Sequence, residues 1–243
     1  MTQIEEMKEI IRKSDNIVFF GGAGVSTASG IPDFRSATGL YNRTSNTDYR
    51  PEYMLSHEFL VDHPDEFSHY YKENLIYPDA KPNKAHLALA KLERLGKLKA
   101  IVTQNIDSLH QMAGNTCVFE LHGNLRDYYC VRCGKKYTLD EVLEEKGASH
   151  CECGGFIRPD VVLYGEGLDQ EVIMRAVEAI RAADVLIVAG TSLVVYPAAG
   201  LVNYYRGNKL IMLNREPTSG DARADYVLHE DLNEVMDVLT RDL

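Results

Sequence analysis

The feature that most constrains the fold is the apolar run Asn16-Ile-Val-Phe-Phe20, stopped at once by Gly21-Gly-Ala-Gly24. A short apolar run bounded by glycines reads as a strand buried on both faces, followed by a tight turn. An amphipathic helix precedes it, with Ile4, Met7, Ile10 and Ile11 on one face. Similar runs lie at 98–102, 185–189 and 210–213, with helical patterns between them, as at 83–95, where Ala85, Leu89 and Leu92 share a face. This alternation predicts an α/β fold, a parallel sheet with helices on both faces. In such sheets ligands sit beyond the carboxyl ends of the strands. The loops at 21–24, 103–107, 190–192 and 214–216 are therefore expected to converge on one crevice. Two stretches break the alternation: 36–82, rich in Tyr, His, Asn and Pro, reads as a helical insert or lid, and 128–159 holds paired cysteines and little core.

Composition narrows the partners. The 243 residues are 45% hydrophobic, enough for a substantial core and against a disordered chain. With 26 Lys and Arg against 36 Asp and Glu, the net charge of −10 disfavours nucleic acid and anionic lipid. The start of the chain alternates charged and apolar residues and lacks the apolar core of a secretory signal, so an intracellular, cytoplasmic protein is expected. The stretch 185–205 carries no charge, yet Gly190, Thr191, Ser192, Pro197 and Gly200 interrupt it. It reads as a buried strand feeding a glycine turn, so no membrane association is expected.

Several constellations carry chemistry. Cys130-Val-Arg-Cys133 and, after seventeen residues, Cys151-Glu-Cys153 have the spacing of two knuckles around one tetrahedral ion, with zinc the first choice and a structural role. The second pair has one spacer residue where two are usual, and His150 beside it is an alternative fourth donor. Gly22-Ala-Gly24-Val-Ser26 resembles the opening of a dinucleotide fingerprint, with Thr27 in place of the third glycine. It is either a tight strand-to-helix connection or a pyrophosphate site at a helix start, with Ser26 or Thr27 adding a hydroxyl. The acidic residue expected about 20 positions further on is not clearly present, which disfavours a hydride-transferring dehydrogenase. Thr103-Gln-Asn-Ile-Asp107 is either a capped turn or a set of side chains that hydrogen-bond a ribose or a carboxamide. His122, in Glu120-Leu-His-Gly-Asn124, follows an apolar stretch and stands beside a glycine, a suitable place for a base near neutral pH.

In order along the chain, Gly22-Ala-Gly-Val-Ser26, Gly30-Ile-Pro-Asp-Phe-Arg35, Thr103-Gln-Asn-Ile-Asp107, Leu121-His-Gly123, the paired cysteines, Arg158-Pro159, Tyr164-Gly-Glu166, Gly190-Thr-Ser-Leu193 and Asn214 together resemble the sirtuins, NAD-dependent protein-lysine deacylases. The compact form is most similar to bacterial members. The resemblance implies a large Rossmann-like domain over 1–35, 83–125 and 160–243, a helical insert over 36–82 and a small zinc module over 126–159. NAD and the acyl-lysine peptide would enter the cleft between domains. It further implies that Gly22, Ala23 and Thr27 border the NAD phosphates and that Phe34 and Arg35 close over the cofactor. Gln104, Asn105, Ile106 and Asp107 would hold nicotinamide and its ribose, and Gly190, Thr191, Ser192, Asn214 and Asp231 the phosphates and the adenosine half. His122 would act as general base on the ribose hydroxyls, with Asn105 and Asp107 as further catalytic residues. NAD would be consumed, the acyl group passing from lysine to ADP-ribose as nicotinamide leaves.

The same resemblance bears on the acyl group. Val162, Leu163 and Val195 would line an apolar tunnel for the lysine stem, and Gly165 and Glu166 would pair with the peptide backbone as an added strand. Members that favour acidic acyl groups carry Tyr-x-x-Arg in the insert. Here Ser68 and Tyr71 fall at those positions, so uncharged groups such as acetyl are expected, unless Lys72 points inward. Two other readings compete: a protein ADP-ribosyltransferase using the same NAD-cleaving site, and a non-enzymatic zinc-ribbon binding module with DNA as its candidate partner, which the acidic charge disfavours.

Overall fold

The strands form where the apolar runs lie. In the computed structural model, which describes residues 2–42, 49–144 and 147–243, β1 (Ile17–Gly21) is buried along its whole length. The remaining positions, 1, 43–48 in the expected insert and 145–146 in the expected zinc module, lie outside the described residues. Around β1 stand β2 (Leu98–Thr103), β3 (Val118–Glu120), β7 (Val185–Ala189), β8 (Leu210–Leu213) and β9 (Tyr226–Leu228), in the order β3-β2-β1-β7-β8-β9. Every pairing in this sheet is parallel. The order reverses between β1 and β7, the point at which a doubly wound sheet opens a crevice.

Because side chains alternate along a strand, each strand feeds two cores. Ile17 and Phe19 of β1 and Val185 and Ile187 of β7 pack under α1 (Gln3–Lys13), α5 (Lys84–Arg94) and α9 (Leu232–Thr240). Val18, Phe20, Leu186 and Val188 face the other way, against α8 (Gln170–Ala182) and the 3₁₀ segment Ala198–Tyr204. The amphipathic patterns place α1 and α5 as expected: Met7 and Ile11, then Ala85, Leu89 and Leu92, are buried. The uncharged stretch 185–205 is the buried strand β7 plus a glycine turn and the 3₁₀ segment. Among the described residues no helix is long and apolar enough to cross a membrane.

A second, antiparallel sheet, β5-β4-β6, is built from β4 (Gly123–Cys130), β5 (Lys136–Thr138) and β6 (Ile157–Val161). It carries the short helix α7 (Leu139–Leu143) and packs on the insert helices α2 (Pro51–Met54), α3 (His57–Asp62) and α4 (Pro64–Asn74). A third core joins them, with Phe59, Phe67 and Tyr71 from the insert against Tyr128, Val142 and Ile157.

The glycine turn differs from the strand-turn-helix expectation. After Gly22 the chain makes two single 3₁₀ turns, Ala23–Val25 and Thr27–Ser29, and no α-helix. Gly30, left-handed at φ 85°, ends the second turn, and Pro32 biases Ile31 toward extended backbone, so helical hydrogen bonding has nowhere to propagate. The turn is also pinned sideways: Gly24 N–H donates to the Gly190 carbonyl at 2.8 Å. Gly190 has φ 59°, and a Cβ there would stand 2.5 Å from Val25 N and 2.7 Å from Gly24 C. Gly190→Ala is therefore expected to force the two loops apart and cost roughly 1–3 kcal/mol. A denaturant midpoint equal to that of the unaltered protein would contradict this packing.

Candidate active site

The loops that end β1, β2, β7 and β8 meet, as expected, on one cleft of about 960 Å³. Ala23, Thr27, Phe34, Arg35, Gln104, Asn105, Ile106, Asp107, Gly190, Thr191, Ser192, Asn214 and Asp231 all line it. So do His122, Val162, Leu163, Gly165, Glu166 and Val195. Gly22 is not among the lining residues: it lies behind the wall, where a Cβ would meet the Gly190 carbonyl and the Thr191 Cβ, each at 2.8 Å.

His122 stands on the connection between the two sheets, after β3 and immediately before β4. Gly123, at φ 72°, lets the chain turn there, and a Cβ would overlap the Asp160 carbonyl. The Nδ1 of His122 lies 2.9 Å from the Gln104 carbonyl oxygen. A carbonyl only accepts, so the ring proton sits on Nδ1 and Nε2 is left with its lone pair. Burial lowers the His122 pKa from 6.5, partly opposed by the Gln104 carbonyl, and the ring is neutral at neutral pH.

Behind it lies a buried polar triad. Ser26 Oγ donates to Asp107 Oδ2 at 2.6 Å and accepts from Asn105 Nδ2 at 3.0 Å. Ser26 thus holds two cleft residues together while itself lining the cleft. Thr27 Oγ1 likewise donates to the Gly24 carbonyl. Asp107 also accepts from Leu109 N–H, but burial prevails and raises its pKa above 3.8. Gln104 Nε2 donates to Thr191 Oγ1 at 3.1 Å, tying the β2 loop to the β7 loop. Asp231 accepts from the Asn233 and Glu234 N–H groups as the cap of α9 and pairs with Arg215 at 2.5 Å.

On the other wall, Arg158 grips Glu166 through both guanidinium nitrogens, at 2.5 and 2.9 Å. Burial alone would raise the Glu166 carboxyl, but Arg158, Leu163 N–H and His57 bring it down to about 2. Its side chain therefore shapes the 163–166 turn, and its own N–H donates to the Leu163 carbonyl. Tyr164 pairs with the insert at Ser56, and its hydroxyl meets Tyr41 at 2.8 Å and Arg35 at 3.3 Å. Arg158 was visible in sequence only as part of a motif; its grip on Glu166 was not. Ser68 donates to the Gly147 carbonyl, and Lys72 Nζ reaches the carbonyls of Val142 and Gly147, so Lys72 points into the small sheet's flank and not into the cleft.

The cysteines settle the fourth donor. The Sγ atoms of Cys130, Cys133, Cys151 and Cys153 all lie within 4.8 Å of one another, with Cys130 to Cys153 at 3.5 Å and Cys133 to Cys151 at 3.6 Å. Zinc–sulfur bonds of ~2.3 Å place tetrahedral sulfurs ~3.8 Å apart, so the set fits that ion. His150 turns its Nδ1 to the Ala148 carbonyl at 3.1 Å and is not part of the set. Four thiolates leave no open position, and the role is structural. Cys130 and Cys151 belong to the same core as Phe67, Tyr71 and Leu163, which line the cleft, so the metal supports one cleft wall.

The model of the Sir2 family matches residues 22–197. The chain belongs to the Sir2 family. It is 58% identical over 236 residues to an NAD-dependent protein deacetylase of Clostridium perfringens, covering 96% of this chain and 97% of that one. It is 52% identical over 241 residues to a protein of the same name from Clostridium tetani, with 98% of each covered. Among solved structures, a Sir2 with a p53 peptide and NAD⁺ superposes with a TM-score of 0.86 at 41% identity, covering 100% of this chain and 98% of that one. A Sir2 variant with a deacetylated p53 peptide and 3′-O-acetyl-ADP-ribose gives 0.90 at 40% identity, over 99% and 98% of the two chains. The large parallel sheet and the added small sheet are shared with these structures over nearly the whole chain.

Zinc removal tests the small sheet. Cys130→Ser is expected to yield aggregated or protease-sensitive protein with less than one zinc per chain, because a module this small depends on its ion. A metal-free variant with native resistance to proteolysis would contradict the structural role.

Proposed function

We propose that this chain is an NAD-dependent protein-lysine deacetylase that transfers the acetyl group of lysine to ADP-ribose and releases nicotinamide. The observation that carries this reading is His122, its proton fixed on Nδ1 by Gln104 and its Nε2 free, in a cleft shared with the Ser26–Asn105–Asp107 triad. The names of the close relatives and the ligands of the similar structures support it. NAD supplies the electrophilic ribose carbon and is consumed.

The residues divide the work. Ala23, Thr27, Gly190, Thr191 and Ser192, at the crevice between β1 and β7, take the phosphates, with Gly22 letting the backbones approach. Asn214 and Asp231 lie toward the adenosine half, and Phe34 and Arg35 cover the cofactor. Gln104, Asn105, Ile106 and Asp107 orient the nicotinamide ribose, the buried triad keeping those groups from turning to water. Once nicotinamide has left and the acyl oxygen has bonded the ribose carbon, His122 Nε2 would accept a proton from a ribose hydroxyl as its oxygen attacks the acyl carbon, and water would then release free lysine. Val162, Leu163 and Val195 hold the acyl-lysine stem, and the turn at Gly165 and Glu166, braced by Arg158, receives the peptide backbone. A cluster of metal-holding thiolates and a soluble dinucleotide substrate fit a cytoplasmic protein.

Incubation of an acetyl-lysine peptide with and without NAD tests the reading: deacetylation is expected only with NAD, matched one for one by nicotinamide. Nicotinamide release with the peptide still acetylated would overturn it in favour of ADP-ribosyl transfer. His122→Ala is expected to lower turnover by about 10²- to 10⁴-fold while NAD affinity, measured by calorimetry, stays near that of the unaltered protein. Near-normal turnover would remove His122 from the base role. Since the base acts when neutral, activity is retained as pH falls until His122 protonates, and burial puts that point below 6.5. An acid limb of the rate profile centred above 6.5 would contradict this. With Lys72 turned to Val142 and Gly147, no cation from α4 faces an acyl carboxylate, so a succinyl-lysine peptide is expected to react roughly tenfold or more slowly than the acetyl peptide. Equal rates would refute that preference.

A further inference from the structure

The segment from Val25 to Ser29 carries two of the cleft residues, Ser26 and Thr27, and its inner side is held by turn hydrogen bonds and by Asp107. Its outer side is held by a residue that does not line the cleft. Asn83 Nδ2 donates to the Val25 carbonyl at 2.8 Å and to Ser29 Oγ at 3.0 Å, the two ends of that segment. The Oδ1 of the same amide accepts the first N–H groups of α5, from Ala85 at 3.0 Å and His86 at 3.3 Å. Ala85 N–H is shared, at 3.3 Å, with Asn233 Oδ1, and Asn233 lines the cleft at the start of α9.

We propose that Asn83 is a positioning residue for NAD: it clamps both ends of the Val25 to Ser29 segment to the α5 N-terminus and so fixes where Ser26 and Thr27 meet the cofactor. The role rests on the reading of the cleft as an NAD site. Its two functions are chemically separable. The carbonyl half of the amide caps α5, and the amino half holds the loop. A helix cap alone needs only the acceptor, which Asp supplies equally well. Nothing else in the chemistry of a cap calls for two donors aimed at the flanks of the Ser26–Thr27 step. If the clamp is lost, the Val25 carbonyl and the Ser29 hydroxyl lose their partner, and the two 3₁₀ turns, which have no helix behind them to stiffen them, are free to shift relative to Asn105 and Asp107.

The experiment compares N83D, N83S and N83A with the unaltered full-length protein, measuring the thermal midpoint and KM for NAD and for an acetyl-lysine peptide. N83D and N83S keep a cap acceptor and lose the two-ended donor. In both, KM for NAD is expected to rise about tenfold, with KM for the peptide within twofold and a thermal midpoint that falls less than that of N83A, because the cap is kept. N83A is expected to show the same rise in KM for NAD together with a lower midpoint, because the cap is lost as well. A folded N83D or N83S with KM for NAD within twofold of the unaltered protein overturns the proposal and leaves Asn83 a helix cap. A parallel rise in both KM values also overturns it, as loss of general order. The unaltered protein separates the two readings: if it shows no NAD-dependent deacetylation, the proposed function fails and the Asn83 role with it. If it is active and the variants match it, the Asn83 role alone fails.

Discussion

The structure depends on the close approach of two backbones where the sheet reverses direction. β1 and β7 lie side by side and both lead into glycine turns, and Gly22 and Gly24 meet Gly190 with no room for a Cβ on any of them. A parallel sheet wound both ways opens a crevice at that point because the connections leave β1 and β7 toward opposite faces. The cleft is therefore a consequence of strand order, and the glycines decide how narrow its floor is. The hydrogen bond from Gly24 N–H to the Gly190 carbonyl closes that floor, and the link from Gln104 to Thr191 extends it to the neighbouring loop.

The second wall comes from the small sheet, and His122 stands where the chain passes from one sheet to the other. Its ring is oriented by a carbonyl of the large sheet's loop while its own carbonyl accepts Val162 N–H, from the segment that returns from β6. His122 is thus held from both sides. The Arg158–Glu166 pair, with His57 on the same carboxylate, ties β6, the 163–166 turn and the insert into one unit. Arg158 is buried and Glu166 half-buried, and the two-pronged geometry of their pairing stiffens this wall. The cysteine cluster supports it from behind through the third core.

Much of this was legible in the sequence, and the rest was hidden for identifiable reasons. The strands showed because a doubly covered parallel strand must be apolar throughout, as 17–21 and 185–189 are. The convergence of loops followed from topology alone, and the cysteines from their spacing, whereas His150 is excluded by its turn toward the Ala148 carbonyl. The helix expected after the first glycine turn does not form, because Gly30 and Pro32 stop it. The contacts of Ser26 with Asn105 and Asp107 were hidden because those partners are some eighty positions away in sequence. Asn83 and the grip of Arg158 on Glu166 were not legible as site determinants, since a capping Asn and a surface-type Arg give no local signal of what they hold across the fold.

NAD is proposed to lie over the junction of β1 and β7 with its nicotinamide ribose against His122. A crystal structure of the protein with NAD and an acetyl-lysine peptide tests it most directly. The expected result is the diphosphate over the turns at 22–27 and 190–192 and a ribose hydroxyl about 3 Å from His122 Nε2. NAD bound elsewhere, as in the smaller cavity behind β3 beside Cys117 and Arg175, or with its ribose out of reach of His122, would contradict it.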